Sequence, residues 1–409
     1  MKKTIRILET FSGIGAQNKA ITNINLERGE KVFDIVATTD WDARANISYA
    51  AMHHDLKINY KKILKQHNLT DVYRINNFLS NFSISLNSKK ESKILLKDLL
   101  FKEYLSASIL LSNNQVDITK LDPEILNKND IDLVTYSFPC QGISVANMGR
   151  AKGINNQEST SNLVWQIYRI LSESKKKPKY LMMENVQNLL SKKFMPEYKK
   201  WKLSLKELGY KTFTVVIDGL DVGSIQKRKR VFALSVLKDV YTPFKNDKEF
   251  NEYIYFKNKS KKLTLEQRKI YFKRIFNFNT SLKENIKALI NDTPSRRRMI
   301  NTQKHINKSK DYIINTLTTK QDRIPCVGII EHKNNINGKL NYRFITPKEA
   351  YMLMGFSEKD FDKIKPFYEK NILTREALYK QAGNSIVVQA ITSIFNVVED
   401  IENMEKNNG

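Results

Sequence analysis

Cysteine is scarce: Cys140 and Cys326 are the only two in 409 residues, with no CxxC spacing. That excludes a disulfide framework, speaks against a structural zinc site, and fits a reducing cytoplasm. No metal site is expected. No apolar run reaches the ~18 residues a membrane span needs. The start MKKTIRILETF is basic and then apolar, but Arg6 and Glu9 break it and a glycine turn follows at once, so no signal peptide is expected. There is no GxGxxG and no internal repeat. The five histidines, His53, His54, His67, His305 and His332, sit in polar segments with no motif around them, which argues against a Cys–His hydrolase. Acidic residues are the other deficit, with 43 Asp and Glu against 69 Lys and Arg for a net charge of +26. The commonest partner of such a surface is a polyanion. Residues 241–340 carry about +13 of that excess and residues 341–409 about −1. A Lys/Asn/Ile-rich habit runs through the whole chain and accounts for part of it. The local concentration, with Arg296, Arg297 and Arg298 in a row, favours nucleic-acid binding.

The 41% hydrophobic content supports one large domain plus a smaller one, or two comparable domains. IRILE (5–9) reads as a strand, FSGIGA (11–16) as a tight turn, residues 17–28 as a helix and VFDIVATTD (32–40) as a second strand. This opening predicts an α/β fold with a doubly wound parallel sheet. Residues 56–115 are Lys/Asn-rich and helical in pattern, an excursion from that core. Further strands are expected at 131–137, 180–186, 212–220 and 230–237, the last two paired, with helices at 162–171, 199–210, 346–355 and 385–399. The alternation stops near residue 240, where the composition turns basic and irregular, and the domain boundary is placed there.

Six stretches carry chemistry. In FSGIG, glycines in a strand-to-helix turn let main-chain N–H groups approach a ligand. TTDWD (38–42) ends the second strand with an acid suited to ribose hydroxyls and a tryptophan that could stack on a base; both could equally be surface groups. FPCQG places Cys140 in a turn at a strand's carboxyl end, where open α/β sheets bind ligands. Its thiol is either a buried structural cysteine or a nucleophile. YLMMENV presents Glu184 and Asn185 at another carboxyl end, where the acid is either catalytic or a structural hydrogen-bonder. QKRKRVF (226–232) places Arg228 and Arg230 on one side if extended. AGNSI (382–386) reads as the start of an apolar helix, with Asn384 or Ser385 near its cap.

FSGIG, DWD, FPCQ, ENV, QKRKR and GNS, in this order, resemble the DNA (cytosine-5) methyltransferases that act as bacterial modification enzymes, over about residues 5–240 and 340–395. The resemblance implies a Rossmann-like, S-adenosylmethionine-binding catalytic domain (1–240, with the excursion 56–115). It also implies a smaller target-recognition domain (241–380) and a C-terminal helix returning to the catalytic domain (381–409). Cys140 would be the nucleophile, Glu184 would hold cytosine N3, and Arg228 and Arg230 would orient base and thiolate. Phe11, Gly13, Ile14 and Gly15 would line the S-adenosylmethionine pocket. Asp40 would take the ribose hydroxyls, Trp41 would pack on the adenine, and Asp117 with Ile118 would meet the adenine amino group. Pro139 would shape the nucleophile's turn, and Leu163, Asn384 and Ser385 would close the pocket.

DNA contacts would fall to Gln141, Ser144, Arg296, Arg297, Arg298, Thr316 and Thr318, the threonines in a Thr-Leu-Thr stretch. The implied partners are double-stranded DNA and a cognate restriction endonuclease, the implied state a monomer, and the implied place the cytoplasm of a bacterium, on its nucleoid. The chain departs from the family at Ala16-Gln17, where a second glycine pair is common, and at Asp40, where many members carry Glu. STSN (159–162) lacks the common Arg-Gly. An RNA cytosine-5 methyltransferase on the same fold and a catalytically idle DNA-binding module are the alternatives. The long basic region weighs against the first and the intact Cys, Glu and Arg set against the second.

Overall fold

The computed structural model describes residues 3–144 and 152–408; Met1 and Lys2 of the basic start, and Gly409 at the end of the C-terminal stretch, lie outside the described residues. The chain forms two compact units. The first takes in Met1–Ile217, Lys229–Asn258 and Ile391–Gly409, and the second takes in Asp218–Arg228 and Lys259–Ala390. Each is built from separate stretches of chain, where the sequence reading drew blocks at 1–240, 241–380 and 381–409.

The first unit is α/β. Its early elements are β1 (Ile5–Thr10), α1 (Ala16–Arg28), β2 (Phe33–Thr39), α2 (Ala43–His53), α3 (Leu56–Gln66), α4 (Val72–Ser80), α5 (Leu99–Leu111) and α6 (Ile125–Lys128). Then follow β3 (Leu133–Tyr136), α7 (Val164–Glu173), β4 (Tyr180–Val186), α8 (Met195–Glu207), β5 (Tyr210–Asp218), β6 (Lys229–Leu237) and α9 (Asp247–Asn258). Six strands form one sheet in the order β2-β1-β3-β4-β6-β5. The pairs β1–β2, β1–β3 and β3–β4 are parallel, and β4–β6 is antiparallel. The order reverses between β1 and β3, and a doubly wound sheet opens its ligand crevice at such a point, outside the strands' carboxyl ends. All four residues of β3, and all of β4 but Val186, are buried, as central strands covered on both faces must be.

The excursion 56–115 is helical as expected in α3, α4 and α5, and it returns along β2. There Thr38 N–H donates to Asn113 O (3.3 Å) and Gln115 N–H to Thr38 O (2.9 Å). Helix α9 belongs to this unit although its composition lies within the basic region. Phe244 and Phe250 pack on Phe213 of β5, with ring centroids 4.7 and 6.1 Å from it, and that aromatic contact outweighs a polar sequence with little amphipathic period.

The second unit holds α10 (Leu265–Ile275), α11 (Lys283–Lys287), α12 (Pro294–Ile300), α13 (Pro347–Leu353), α14 (Glu358–Glu369) and α15 (Arg375–Asn384). Its sheet is small, β7 (Leu289–Asn291), β8 (Ile330–Glu331) and β9 (Lys339–Arg343), in the order β7-β9-β8. Beneath it Arg343 and Glu349 form a fully buried ion pair at 2.8 Å. The last helix, α16 (Val388–Asn408), begins in the second unit and passes into the first. There Phe395 meets Phe33 edge to face, Glu399 takes Arg28 in a bidentate pair, and Glu402 accepts from Tyr180 Oη at 2.8 Å. The stretch AGNSI does not start this helix. Asn384 closes α15 and Ser385 is its C-cap, so the turn ends one helix before the next begins.

Candidate active site

Cys140 stands four residues beyond the end of β3, and Glu184 is the residue after Met183 of β4, which pairs with Tyr136 of β3. Parallel pairing therefore brings thiol and carboxylate to the same edge of the sheet. The half-buried Cys140 opens a tight turn whose carbonyl accepts from the N–H groups of Ile143 (2.9 Å) and Ser144 (2.8 Å). Asn185 Nδ2 donates to Phe138 O at 3.0 Å and Asn188 Nδ2 to Ile143 O at 2.5 Å, so the end of β4 clamps the turn on both sides of the cysteine. Gln141 is exposed and Ser144 half-buried.

Glu184 is buried, and its Oε1 meets Arg230 Nε at 3.3 Å. The antiparallel register places Arg230 opposite Val186, two residues from Glu184 on the same face, which is what lets the guanidinium reach the carboxylate. Arg228 does something else. It is buried in the second unit, where its guanidinium donates to Leu317 O (2.8 Å), Gly383 O (2.9 Å) and Ser385 O (2.9 Å). The two arginines therefore have separate partners, where an extended segment would have aimed them together. The reason is that strand β6 begins only at Lys229, and the Arg228 N–H is still held in the preceding turn by Asp218 Oδ1 (3.0 Å).

Arg228 belongs to a knot of three distant segments. Gln226 Oε1 accepts from Leu317 N–H (2.9 Å), its Nε2 donates to Leu353 O (3.1 Å), and Thr316 Oγ1 donates to Lys227 O (2.6 Å). A Cβ on Gly383 would stand 2.5 Å from the main chain of Thr318 and Thr319, so only glycine allows this approach. The Thr-Leu-Thr stretch and the turn at Asn384 and Ser385 are thus fixed against one another. The three consecutive arginines divide. Arg296 donates to the carbonyls of Asp322 and Arg323, each at 3.1 Å, Arg297 pairs bidentately with Asp292, and Arg298 is exposed without an ion-pair partner among the described residues. Of the three, Arg298 alone has a guanidinium without a protein partner there.

The glycine turn joins β1 to α1 through left-handed residues, Phe11 (φ 54°), Gly13 (φ 55°) and Gly15 (φ 75°). A Cβ on Gly15 would lie 2.5 Å from His53 Nε2, which itself contacts Ile14 O at 3.1 Å, whereas one on Gly13 would meet nothing within 4 Å. Gly13 N–H donates to Asp40 Oδ2 and Asp42 N–H to Asp40 Oδ1, both at 2.8 Å. The backbone of Asp40 is held by Asn114 and Asn46, so the acid is placed before any ligand arrives. Trp41 beside it is half-buried, and its carbonyl accepts from Ser85 N–H. Asp117 is half-buried and caps a short turn by accepting from Thr119, Ile118 is buried, and Leu163 packs against the main core.

Sequence reading missed Glu9. It is fully buried at the end of β1, where Oε2 accepts from Tyr49 Oη (2.9 Å) and Oε1 has no hydrogen-bond partner among the described residues. Burial pushes its carboxyl up to about 8, with the charge of Asp40 adding to the effect. A signal was there, an acid ending an otherwise apolar strand just before a glycine turn. An orphaned carboxyl oxygen beneath a turn with open space over Gly13 suits a ligand that carries a cation. Because the native pKa lies above the unfolded value of 4.5, the stabilisation is complete at low pH and is lost as pH rises through about 8. In thermal melts between pH 5.5 and 8.5, Glu9→Gln is expected to gain on the parent as pH rises, by roughly 3 kcal/mol across the range. A constant difference between the two proteins would remove Glu9 from the account.

Among the described residues no group of His, Cys, Asp and Glu could hold a metal, and no helix is long and apolar enough to cross a membrane. The family described as C-5 cytosine-specific DNA methylase matches residues 81–400. The type II methyltransferase M2.ScrFI of Lactococcus lactis subsp. cremoris is 32% identical, covering 96% of this chain and 98% of its own length. The orphan methyltransferase M.SssI of Spiroplasma monobiae is 29% identical over 97% of each chain. Among solved structures, the S. pombe Dnmt2 methyltransferase aligns with a TM-score of 0.62 at 18% identity, covering 98% of this chain and 99% of that one, a likeness of fold. The chain therefore belongs to the C-5 cytosine-specific DNA methylase family.

Proposed function

We propose that the chain is a sequence-specific DNA methyltransferase in which Cys140 attacks C6 of a flipped cytosine. The observation that carries the reading is Glu184, buried on the strand beside the cysteine's own and gripped by Arg230 at 3.3 Å. Cytosine C5 is a poor nucleophile until the ring is interrupted. The Cys140 thiolate adds to C6, and the displaced electron pair is accommodated at N3, which Glu184 engages by hydrogen bond or proton. Arg230 keeps that carboxylate in place. The ring is then an enamine whose C5 can accept a methyl group. A base, water or hydroxide, takes the C5 proton, the C5–H pair forms the C5–C6 double bond, and Cys140 leaves with the C–S pair as thiolate, which restores the aromatic base. C6 is unreachable inside a stacked duplex, so the base must leave the stack, at a cost of a few kcal/mol.

The methyl donor proposed is S-adenosylmethionine, which supplies an electrophilic methyl group when bound. Glu9 suits its ammonium group, Asp40 its ribose and Trp41 its adenine. Gly13 offers a main chain with room above it. The second unit is proposed to read the target sequence, with Thr316 and Thr318 on the clamped strip and Arg298 elsewhere in the same unit. The remaining proposals are a monomer acting on DNA in the cytoplasm, alongside a restriction endonuclease of the same site. A labelled-methyl assay with duplex DNA and with tRNA, followed by mapping of the modified cytosines, tests the reading. Label in DNA at C5 of one recurring sequence is the expected result. Transfer to tRNA alone would sink it.

A further inference from the structure

The segment STSN (159–162), where the family's common Arg-Gly is missing, supplies a hydroxyl to the nucleophile's turn. Ser161 is fully buried. Its Oγ donates to Pro139 O at 2.5 Å and accepts from Gly142 N–H at 3.0 Å. These two main-chain atoms flank Cys140, one residue before it and two after it. The hydroxyl thus closes a bracket around the nucleophile through a single chain of donors, Gly142 N–H to Oγ–H to the Pro139 carbonyl. Ser161 is itself fixed. It lies in the turn Thr160–Leu163, its N–H is capped by Ser159 Oγ at 3.3 Å, and Asn162 Nδ2 donates to Ile154 O at 3.0 Å. Gly142 is fitted to the bracket, since a Cβ there would stand 1.9 Å from Ser159 Oγ and 2.8 Å from Ser161 Oγ. The Gly142 carbonyl in turn accepts from Gly153 N–H at 2.7 Å.

We infer that Ser161 is a positioning residue for the Cys140 nucleophile, its hydroxyl fixing the turn from which the thiolate attacks cytosine C6. The inference rests on the reading of Cys140 given above. Ser161 touches main chain on both sides of the cysteine, so its loss frees the path of the backbone at the nucleophile and should act on the chemical step. A small displacement of a reacting group costs about ten- to a hundredfold in rate. The two other segments that hold the turn, at Asn185 and Asn188, remain in place without it, so the fold and the binding of both substrates should persist.

The test uses the full chain, S-adenosylmethionine and duplex DNA carrying 5-fluorocytosine at the target. Once C5 has taken the methyl group, fluorine there cannot leave as a proton does, so the enzyme remains bonded to C6 and the combined rate of attack and methyl transfer is read as covalent complex. Ser161→Ala is expected to slow trapping, and kcat on ordinary DNA, by about ten- to a hundredfold, with KM for DNA and for the methyl donor within about twofold of the parent. Trapping within about twofold of the parent would overturn the inference, as would a rise in KM with the rate at saturation unchanged. If Ser161→Ala does not fold, Ser161→Gly, which removes the same hydroxyl, is read by the same assays. If neither folds, the hydroxyl holds the fold rather than the nucleophile and the inference is wrong. Cys140→Ala separates the two claims. An inactive Cys140→Ala beside a Ser161→Ala as fast as the parent rejects only this inference, whereas an active Cys140→Ala rejects the mechanism.

Discussion

Cys140→Ala is expected to lower single-turnover methyl transfer by at least about 10⁴-fold, because the proposed attack on cytosine C6 draws its electron pair from the Cys140 thiolate. Binding should survive. The cradle proposed for the methyl donor, Gly13, Asp40 and Glu9, is held by hydrogen bonds of its own at the ends of β1 and β2. The turn itself is held by Ser161, Asn185 and Asn188, which bond to main chain and not to the cysteine side chain. Equilibrium dialysis with the donor and fluorescence anisotropy with duplex DNA check those two affinities, and rapid quench with labelled donor checks the rate. A variant within about tenfold of the parent's rate would rule out covalent attack by this residue.

The second large effect separates the two arginines. Arg228→Ala removes three hydrogen bonds to buried carbonyls and should destabilise the second unit by roughly 3–5 kcal/mol. For a unit of this size that is a fall of about 10 °C in the melting midpoint. Arg230→Ala removes one ion pair and one hydrogen bond to the Lys229 carbonyl and should cost less, about 1–2 kcal/mol. Its effect belongs to turnover, because Glu184 would no longer be held where cytosine N3 arrives. Calorimetry on both variants beside initial rates decides the matter. Equal stability losses would mean that the segment QKRKR works as one structural unit.

Much of the site was legible because the family's chemistry sits at strand ends, and strand ends are marked by a change from apolar residues to turn residues. Cys140, Glu184 and Asp40 each follow such a run, and parallel pairing does the rest. Glu9 was hidden because it lies inside the apolar run and looks like its last residue. Arg228 could be named from its motif, but its partners at Leu317, Gly383 and Ser385 lie 89 to 157 residues away and no local pattern announces them. The basic region misled on the place of one helix. Composition placed α9 with the residues that follow it, whereas its aromatics pack on β5. Charge alone did not show that Arg296 and Arg297 already have partners within their own unit.

The division of the chain also orders its synthesis. The sheet unit lacks its last helix until residues 391–408 have left the ribosome, although its six strands are complete by Leu237. Until then Arg28 has no Glu399, and Lys179 and Tyr180 have no Glu402. Domains usually fold in the order they are made. Here the first unit begun is the last completed, so a nascent chain cut short within residues 259–390 would carry Cys140 and the Gly13 turn on a sheet not yet covered by its last helix.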